Sequence, residues 1–199
     1  GLNEHIYQWD SCFMSLFLLY GPDAFPVMAA LDNFYGKQRA DGYIQRMYKE
    51  TTGTIVYPES PLDPAINPPL FAWVEQCYAE ASGDLGRLAR VYPVLERYYG
   101  WLEDHVRHPR AALYWQTEWG SGQDNTPRPA IPGGWVDMSA QMALFARSMA
   151  WIAHQLGSPA EAWAARHQAI GAAVNQHLWS ERLGLYVDVN QDFRSPEVA

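Results

Sequence analysis

Between Tyr114 and Arg128 the chain reads Tyr-Trp-Gln-Thr-Glu-Trp-Gly-Ser-Gly-Gln-Asp-Asn-Thr-Pro-Arg. Two carboxylates, Glu118 and Asp124, stand there among two tryptophans, Trp115 and Trp119. No helical or strand period runs through the stretch. Gly120 and Gly122 let the backbone take shapes other residues resist and let it approach a ligand closely. Pro127 pushes Thr126 out of the α region. A carboxylate on such a loop suits chemistry on a sugar, because an indole stacks on a pyranose with its apolar face and keeps an N–H to donate. On spacing alone Asp124 reads better as an Asx-turn residue that holds the loop. Glu118 reads as a surface acid, and Arg128 as the ion-pair partner of a nearby acid.

The elements that must position this loop are helical. Residues 10–20 are nearly all apolar, and Gly21-Pro22 behind them favours a buried helix that stops there. Asp23 is expected to cap a second helix over about 24–37. Pro68 and Pro69 suit the first turn of a third helix. Ser82-Gly83-Asp84 ends that helix and caps a fourth over about 85–105, with apolar residues at three- and four-residue spacings. Pro93 inside it is a site for a kink or break. Asp137 is placed to cap a helix over about 138–156, apolar nearly all round. Ser158-Pro159-Ala160-Glu161 has the form of a capping box for a last helix running to about Trp179. Gly184–Val189 alternates like one strand, with no partner strand evident in the remaining sequence.

The result is an all-α reading of residues 1–199 as one domain of three helical hairpins, with a strand near the C-terminus. In each hairpin a more apolar, inward helix precedes a more amphipathic, outward one. The hairpins start near Asp10, Pro68 and Met138, and no residue-level repeat accompanies that spacing. The linkers between hairpins, about thirty residues each, are too long to be idle connections. Both lead into the N-terminal end of an inner helix. They should therefore gather on one functional rim, with the short turns at the opposite end.

Composition narrows the function. Of 199 residues, 48% are hydrophobic and 18% charged, which is a globular balance. A net charge of -8 without any basic run argues against a nucleic-acid partner, and no apolar run is long enough for a membrane span. Cys12 and Cys77 read as free thiols in apolar surroundings, compatible with a reducing compartment. The scattered histidines suggest no zinc site, and no phosphate-cradling or dinucleotide motif occurs. No cofactor is expected. The N-terminus has neither an initiator Met nor a signal-peptide pattern and reads as a cut end.

Five blocks carry a family resemblance. Gln8-Trp9-Asp10-Ser11-Cys12-Phe13, Gly42-Tyr43-Ile44-Gln45-Arg46, Asn67-Pro68-Pro69-Leu70-Phe71-Ala72-Trp73, Ser121 through Arg128 and Val136-Asp137-Met138 occur in the order and rough spacing of glycoside hydrolase family 63. The chain resembles that family over nearly its whole length, and the trehalase family more distantly. The resemblance implies an (α/α)6 barrel and hydrolysis of an α-glucoside or related small α-glycoside with inversion. It makes Asp124 the general acid, Asp10 a ligand of sugar hydroxyls, Trp9 the wall of the innermost sugar subsite and Arg46 a pocket arginine. Trp115, Glu118, Trp119 and Gly122 join the expected substrate-binding set. So does Asn67, which stands where these relatives usually carry Gln. Met47 and Tyr48 replace polar residues that often follow the arginine.

An inverting glycosidase needs a second carboxyl group about 6.5–9.5 Å from the first, across the scissile bond, to activate water. Nothing after Val136 resembles that base. Three hairpins make half of a six-hairpin barrel, so the expectation is a half-barrel whose remainder follows C-terminally in an intact enzyme. On its own it should be inactive and prone to self-association. The alternatives from other classes are a non-catalytic helical-hairpin scaffold binding carbohydrate or protein, and another (α/α)6 enzyme such as a sugar epimerase. A repeat array should show self-similarity and short linkers. An epimerase should show paired rim histidines, which His5, His105 and His108 do not suggest.

Overall fold

The computed structural model describes residues 4–56, 59–123 and 132–195. In chain order the elements are β1 (His5–Tyr7), α1 (Gln8–Leu18), α2 (Ala29–Tyr35), β2 (Met47–Lys49), α3 (Phe71–Ser82), α4 (Leu85–Val106), α5 (Glu118–Ser121), β3 (Gly133–Gly134), α6 (Val136–Gln155), α7 (Glu161–His177), β4 (Trp179–Ser180), β5 (Leu185–Tyr186) and β6 (Val189–Asn190).

The three expected hairpins are α1–α2, α3–α4 and α6–α7. Inner helices α1, α3 and α6 stand side by side, α3 in the middle, with α2, α4 and α7 behind them. One apolar core runs through all three hairpins, from Leu31 and Phe34 on α2 through Phe71 and Tyr98 to Phe145 and Trp163. The inner and outer helices differ as their patterns require. α6 buries Met138, Met142, Phe145, Met149 and Ile152. α7 buries only Trp163, Ile170 and Ala173. Trp163 also donates its indole N–H to the Tyr92 hydroxyl on α4 at 2.8 Å.

Several boundaries differ from expectation for local reasons. The second helix begins at Ala29, not near Asp23, because Pro22 and Pro26 exclude Gly21 and Phe25 from the α region and the intervening chain closes as turns. The double proline likewise stands ahead of α3, which starts at Phe71. Pro93 does not split α4. Leu88, Val91, Leu95, Tyr98, Tyr99 and Leu102 are buried on both sides of it and hold the helix continuous. Asp84 caps α4 as expected, accepting from the Arg87 N–H at 2.9 Å.

The expected capping box at Ser158 does not form. Ser158 instead donates its N–H to Ala153 O at 2.9 Å, beside left-handed Gly157, and so closes the end of α6 in a Schellman turn. α7 starts at Glu161 without a side-chain cap. Near the C-terminus the expected lone strand is really two short pieces with separate partners. Leu185–Tyr186 pairs with Trp179–Ser180, and Val189–Asn190 pairs with Gly133–Gly134. The antiparallel pair β1–β2 carries no comparable signal in the sequence.

Behind the core a buried ion cluster ties the first two hairpins together. The Arg87 guanidinium on α4 donates to Glu75 on α3 at 2.7 and 2.8 Å and to Asp32 on α2 at 2.8 Å. The Tyr35 hydroxyl donates to Glu75 at 2.8 Å. Burial pushes the Glu75 carboxyl up, and the Arg87 hydrogen bonds and charge oppose that shift.

Candidate functional site

The linkers gather at the N-terminal ends of the inner helices, as their placement in the sequence requires. Gln8 opens α1 by donating its N–H to Arg46 O at 2.9 Å, and β1 pairs with β2 directly beyond. The second linker crosses the first where the Asn67 amide donates to Gly120 O at 3.0 Å. It then reaches α6 through the Trp135 N–H bonded to Tyr114 O at 2.8 Å.

On this rim Trp9 meets Gly122. A Cβ placed on Gly122 would stand 3.0 Å from Cε2 and 3.2 Å from Nε1 of the Trp9 indole. Gly122 also has φ +75°, a conformation L side chains resist. This turn follows α5, a single turn of helix capped by Thr117. The Thr117 hydroxyl accepts from Gly120 N at 3.2 Å. Gly120 is confined as well, since a Cβ there would come within 2.7 Å of Ile66 O. The Trp9 ring continues edge-on to Phe13, centroids 4.8 Å apart, and Phe13 to Trp73 at 6.4 Å. An aromatic wall therefore runs from α1 to α3 beside the loop.

The other expected residues divide by environment. Asp10, in the first turn of α1, is exposed next to Trp9. Arg46 is buried and forks onto Asp63, with Nη2 at 3.1 Å and Nη1 at 3.4 Å. Asn67 is buried with its NH2 turned back onto Gly120 O. Trp115 belongs to the apolar core and is only 7% exposed. Trp119 stands out from α5 at 66% exposure, and Glu118 beside it is half-buried. Asp137 accepts the Met138 N–H at 2.7 Å, and the α6 N-terminus is served by Asp188, which accepts the Val136 N–H at 2.8 Å. Asp124 and Arg128 lie outside the described residues.

Three rim residues escape a reading of the sequence. Asp63 is the counter-ion of Arg46, and the need of a buried guanidinium for an acid is the one available signal. Gln8 is buried and donates to the Tyr98 hydroxyl at 3.3 Å. Gln116 is fully buried and, among the described residues, neither end of its amide has a partner. Beneath the site burial pushes the Cys12 thiol up, helped by the charges of Glu75 and Asp10. Cys12 and Cys77 are both free.

Among the described residues no group of three or more His, Cys, Asp or Glu could hold a metal ion. No described helix is long and apolar enough to cross a membrane. A cavity of about 410 Å³ opens at the other end of the bundle, where Leu19, Phe25, Met28 and Tyr78 surround the α1–α2 turn, away from the rim.

Paired inner and outer helices, with both long linkers converging on a Trp-lined rim, define a helical-hairpin protein of the (α/α)6 barrel type, about half a barrel in extent. The family described as Mannosylglycerate hydrolase MGH1-like glycoside hydrolase domain matches residues 3–196, and the chain belongs to it. Among relatives, an uncharacterized protein of Borreliella burgdorferi is 26% identical over 189 residues, covering 94% of this chain and 39% of the relative. Two solved structures from Thermus thermophilus share the fold over the whole chain. An uncharacterized conserved protein superposes with a TM-score of 0.78 at 20% identity, over 62% of its own length. The GH63 mannosylglycerate hydrolase in complex with glucose superposes with a TM-score of 0.75 at 19% identity, over 63% of its length. The chain thus spans less than two thirds of the proteins it matches.

Proposed function

We propose that this chain is the acid-bearing half of an inverting glycosidase that cleaves small α-glycosides, with Asp124 as general acid. The carrying observation is the contact of the Trp9 indole with Gly122, two residues before Asp124, with Asp10 in the same helical turn as Trp9. Trp9 offers a stacking face to the sugar, and Asp10 is free to accept from its hydroxyls. Glu118, Trp119 and Arg46 complete the polar and aromatic rim. Asn67 and Trp115 support the loop from behind.

In this mechanism Asp124 gives its proton to the leaving oxygen while a second carboxylate activates water on the opposite face. We assign that base to sequence C-terminal to Ala199 in an intact enzyme. The substrate class is an α-glucoside or α-mannoside of a small aglycone. The name of the Thermus neighbour and the glucose bound to it favour this size. An acid working near neutral pH needs its pKa raised, by burial or by the nearby base.

The test uses the intact enzyme carrying Asp124→Asn, assayed on two α-glucosides that differ only in leaving group. A general acid matters most when the leaving oxygen is a poor leaving group. The variant should lose about 10²–10⁴-fold on an alkyl glucoside and far less on a dinitrophenyl glucoside. Equal losses on both, or no loss, reject Asp124 as the acid.

A further inference from the structure

Asp63 holds both rim linkers with one carboxylate. Its Oδ atoms receive the Arg46 fork at 3.1 and 3.4 Å, the Ala65 N–H at 2.8 Å and the Thr117 hydroxyl at 3.4 Å. Arg46 is fastened to the same turn a second time, because its N–H donates to Ala65 O at 2.7 Å. Ala65 takes φ +50°, a conformation rare for a residue with a Cβ, and it keeps that shape between these two bonds. On the other side Thr117 passes the connection onward. The oxygen that donates to Asp63 accepts from Gly120 N at 3.2 Å and so caps α5, the turn that leads to Gly122 and Asp124. Asn67, four residues after Asp63, holds Gly120 O from the same side.

A bidentate guanidinium–carboxylate pair fixes geometry as well as supplying attraction. Here the carboxylate also bonds a residue of the other linker, so the pair sets the distance between Arg46 and the α5 turn.

We infer that Asp63 is a positioning residue of the site, coupling Arg46 in the first linker to the α5 turn in the second, the turn that precedes Asp124 in the sequence. Asp63 itself touches no substrate. It acts through Arg46 and through Thr117, and its catalytic consequence rests on the glycosidase reading. The physical coupling does not, which allows two separate measurements.

The first is amide exchange on the full chain, comparing wild type with Asp63→Asn and Thr117→Val. Thr117→Val removes only the hydroxyl and guards against a folding defect in the other variant. Exchange at Gly120 should accelerate about tenfold or more in both, while the α4 segment 95–102 keeps its protection. Unchanged exchange at Gly120 overturns the coupling, as does uniform acceleration in both variants. The second is a double-mutant cycle on kcat/KM in the intact enzyme with Asp63→Asn, Arg46→Met and the pair. Each single change should cost on the order of 10²-fold, and the pair little more than the worse single, because residues acting as one unit are not additive. Additive losses overturn the inference. A wild-type enzyme inactive on every α-glycoside would instead reject the glycosidase reading, leaving the exchange result to decide on Asp63.

Discussion

Replacing Gly122 by alanine adds one methyl where the rim is tightest. The backbone there has φ +75°, and holding a residue with a Cβ in that region costs roughly 1–2 kcal/mol. The new Cβ would sit 3.0 Å from Cε2, 3.2 Å from Nε1 and 3.3 Å from Cζ2 of Trp9. Carbon atoms prefer about 3.5–4.0 Å. Keeping the methyl in place would therefore cost about 1–3 kcal/mol more by overpacking. Together these give about 2–5 kcal/mol if nothing moves. Trp9 is braced by Phe13 and, behind it, by Trp73, so the loop gives way first. Asp124 follows within two residues, and a displacement near 1 Å at a reacting group costs about 10²-fold in rate. In the intact enzyme Gly122→Ala should thus lower kcat/KM by about 100-fold with most of the fold retained. The assay pairs steady-state kinetics with a thermal melt of the same preparation. Wild-type turnover would refute the reasoning. So would a loss of activity explained entirely by unfolding.

Three further perturbations follow from other parts of the molecule. Glu75→Ala leaves Arg87 buried with only exposed Asp32 opposite, and breaking such a buried pair should cost about 3–5 kcal/mol in denaturant unfolding, whereas an exposed ion pair would cost less than about 1 kcal/mol. His108 is buried, donates from Nε2 to Gln191 O at 3.2 Å and accepts the Arg110 N–H at Nδ1. Burial holds its pKa below the ordinary 6.5, with the charges of Arg110 and His177 acting the same way. Its contribution is therefore complete above about 6.5 and is lost as pH falls through the lowered folded value. Protection in residues 189–194, taken relative to the intrinsic exchange rate at each pH, should fall on acidification, and His108→Gln should flatten that dependence. Along α1 and just past its end, Met14, Phe17 and Tyr20 are exposed apolar side chains, with Phe17 at 75% and Tyr20 at 93% exposure. The isolated 199-residue chain should self-associate in light scattering, and Phe17→Ser should reduce this.

The hairpins are legible because burial writes a period of three to four residues into long helices. That signal survives in α4, where the apolar residues flanking Pro93 outweigh the proline. Ends are less legible, because proline and cap residues serve more than one neighbour. Ser158 has the sequence of a cap for α7 and the job of closing α6. Strands of two or three residues such as β3 and β6 carry no period at all, and their pairing depends on chain brought from more than fifty residues away. Within the site, Trp9 and Gly122 stand out in the sequence and are found in contact. Asp63, between Leu62 and Pro64, looks like any turn acid. Only the folded chain places it between Arg46 and Thr117. Asn67 shows a side chain whose position only the fold reveals, since its NH2 donates to Gly120 O while its Oδ1 has no hydrogen-bond partner among the described residues.

The most direct test of the central claim is the anomeric form of the first product released by the intact enzyme, followed by proton NMR within the first turnovers on an α-glycoside. Attack by water across from Asp124 must release the β-anomer, which then mutarotates. If the α-anomer appears first, the two-carboxylate inverting arrangement built on Asp124 is contradicted.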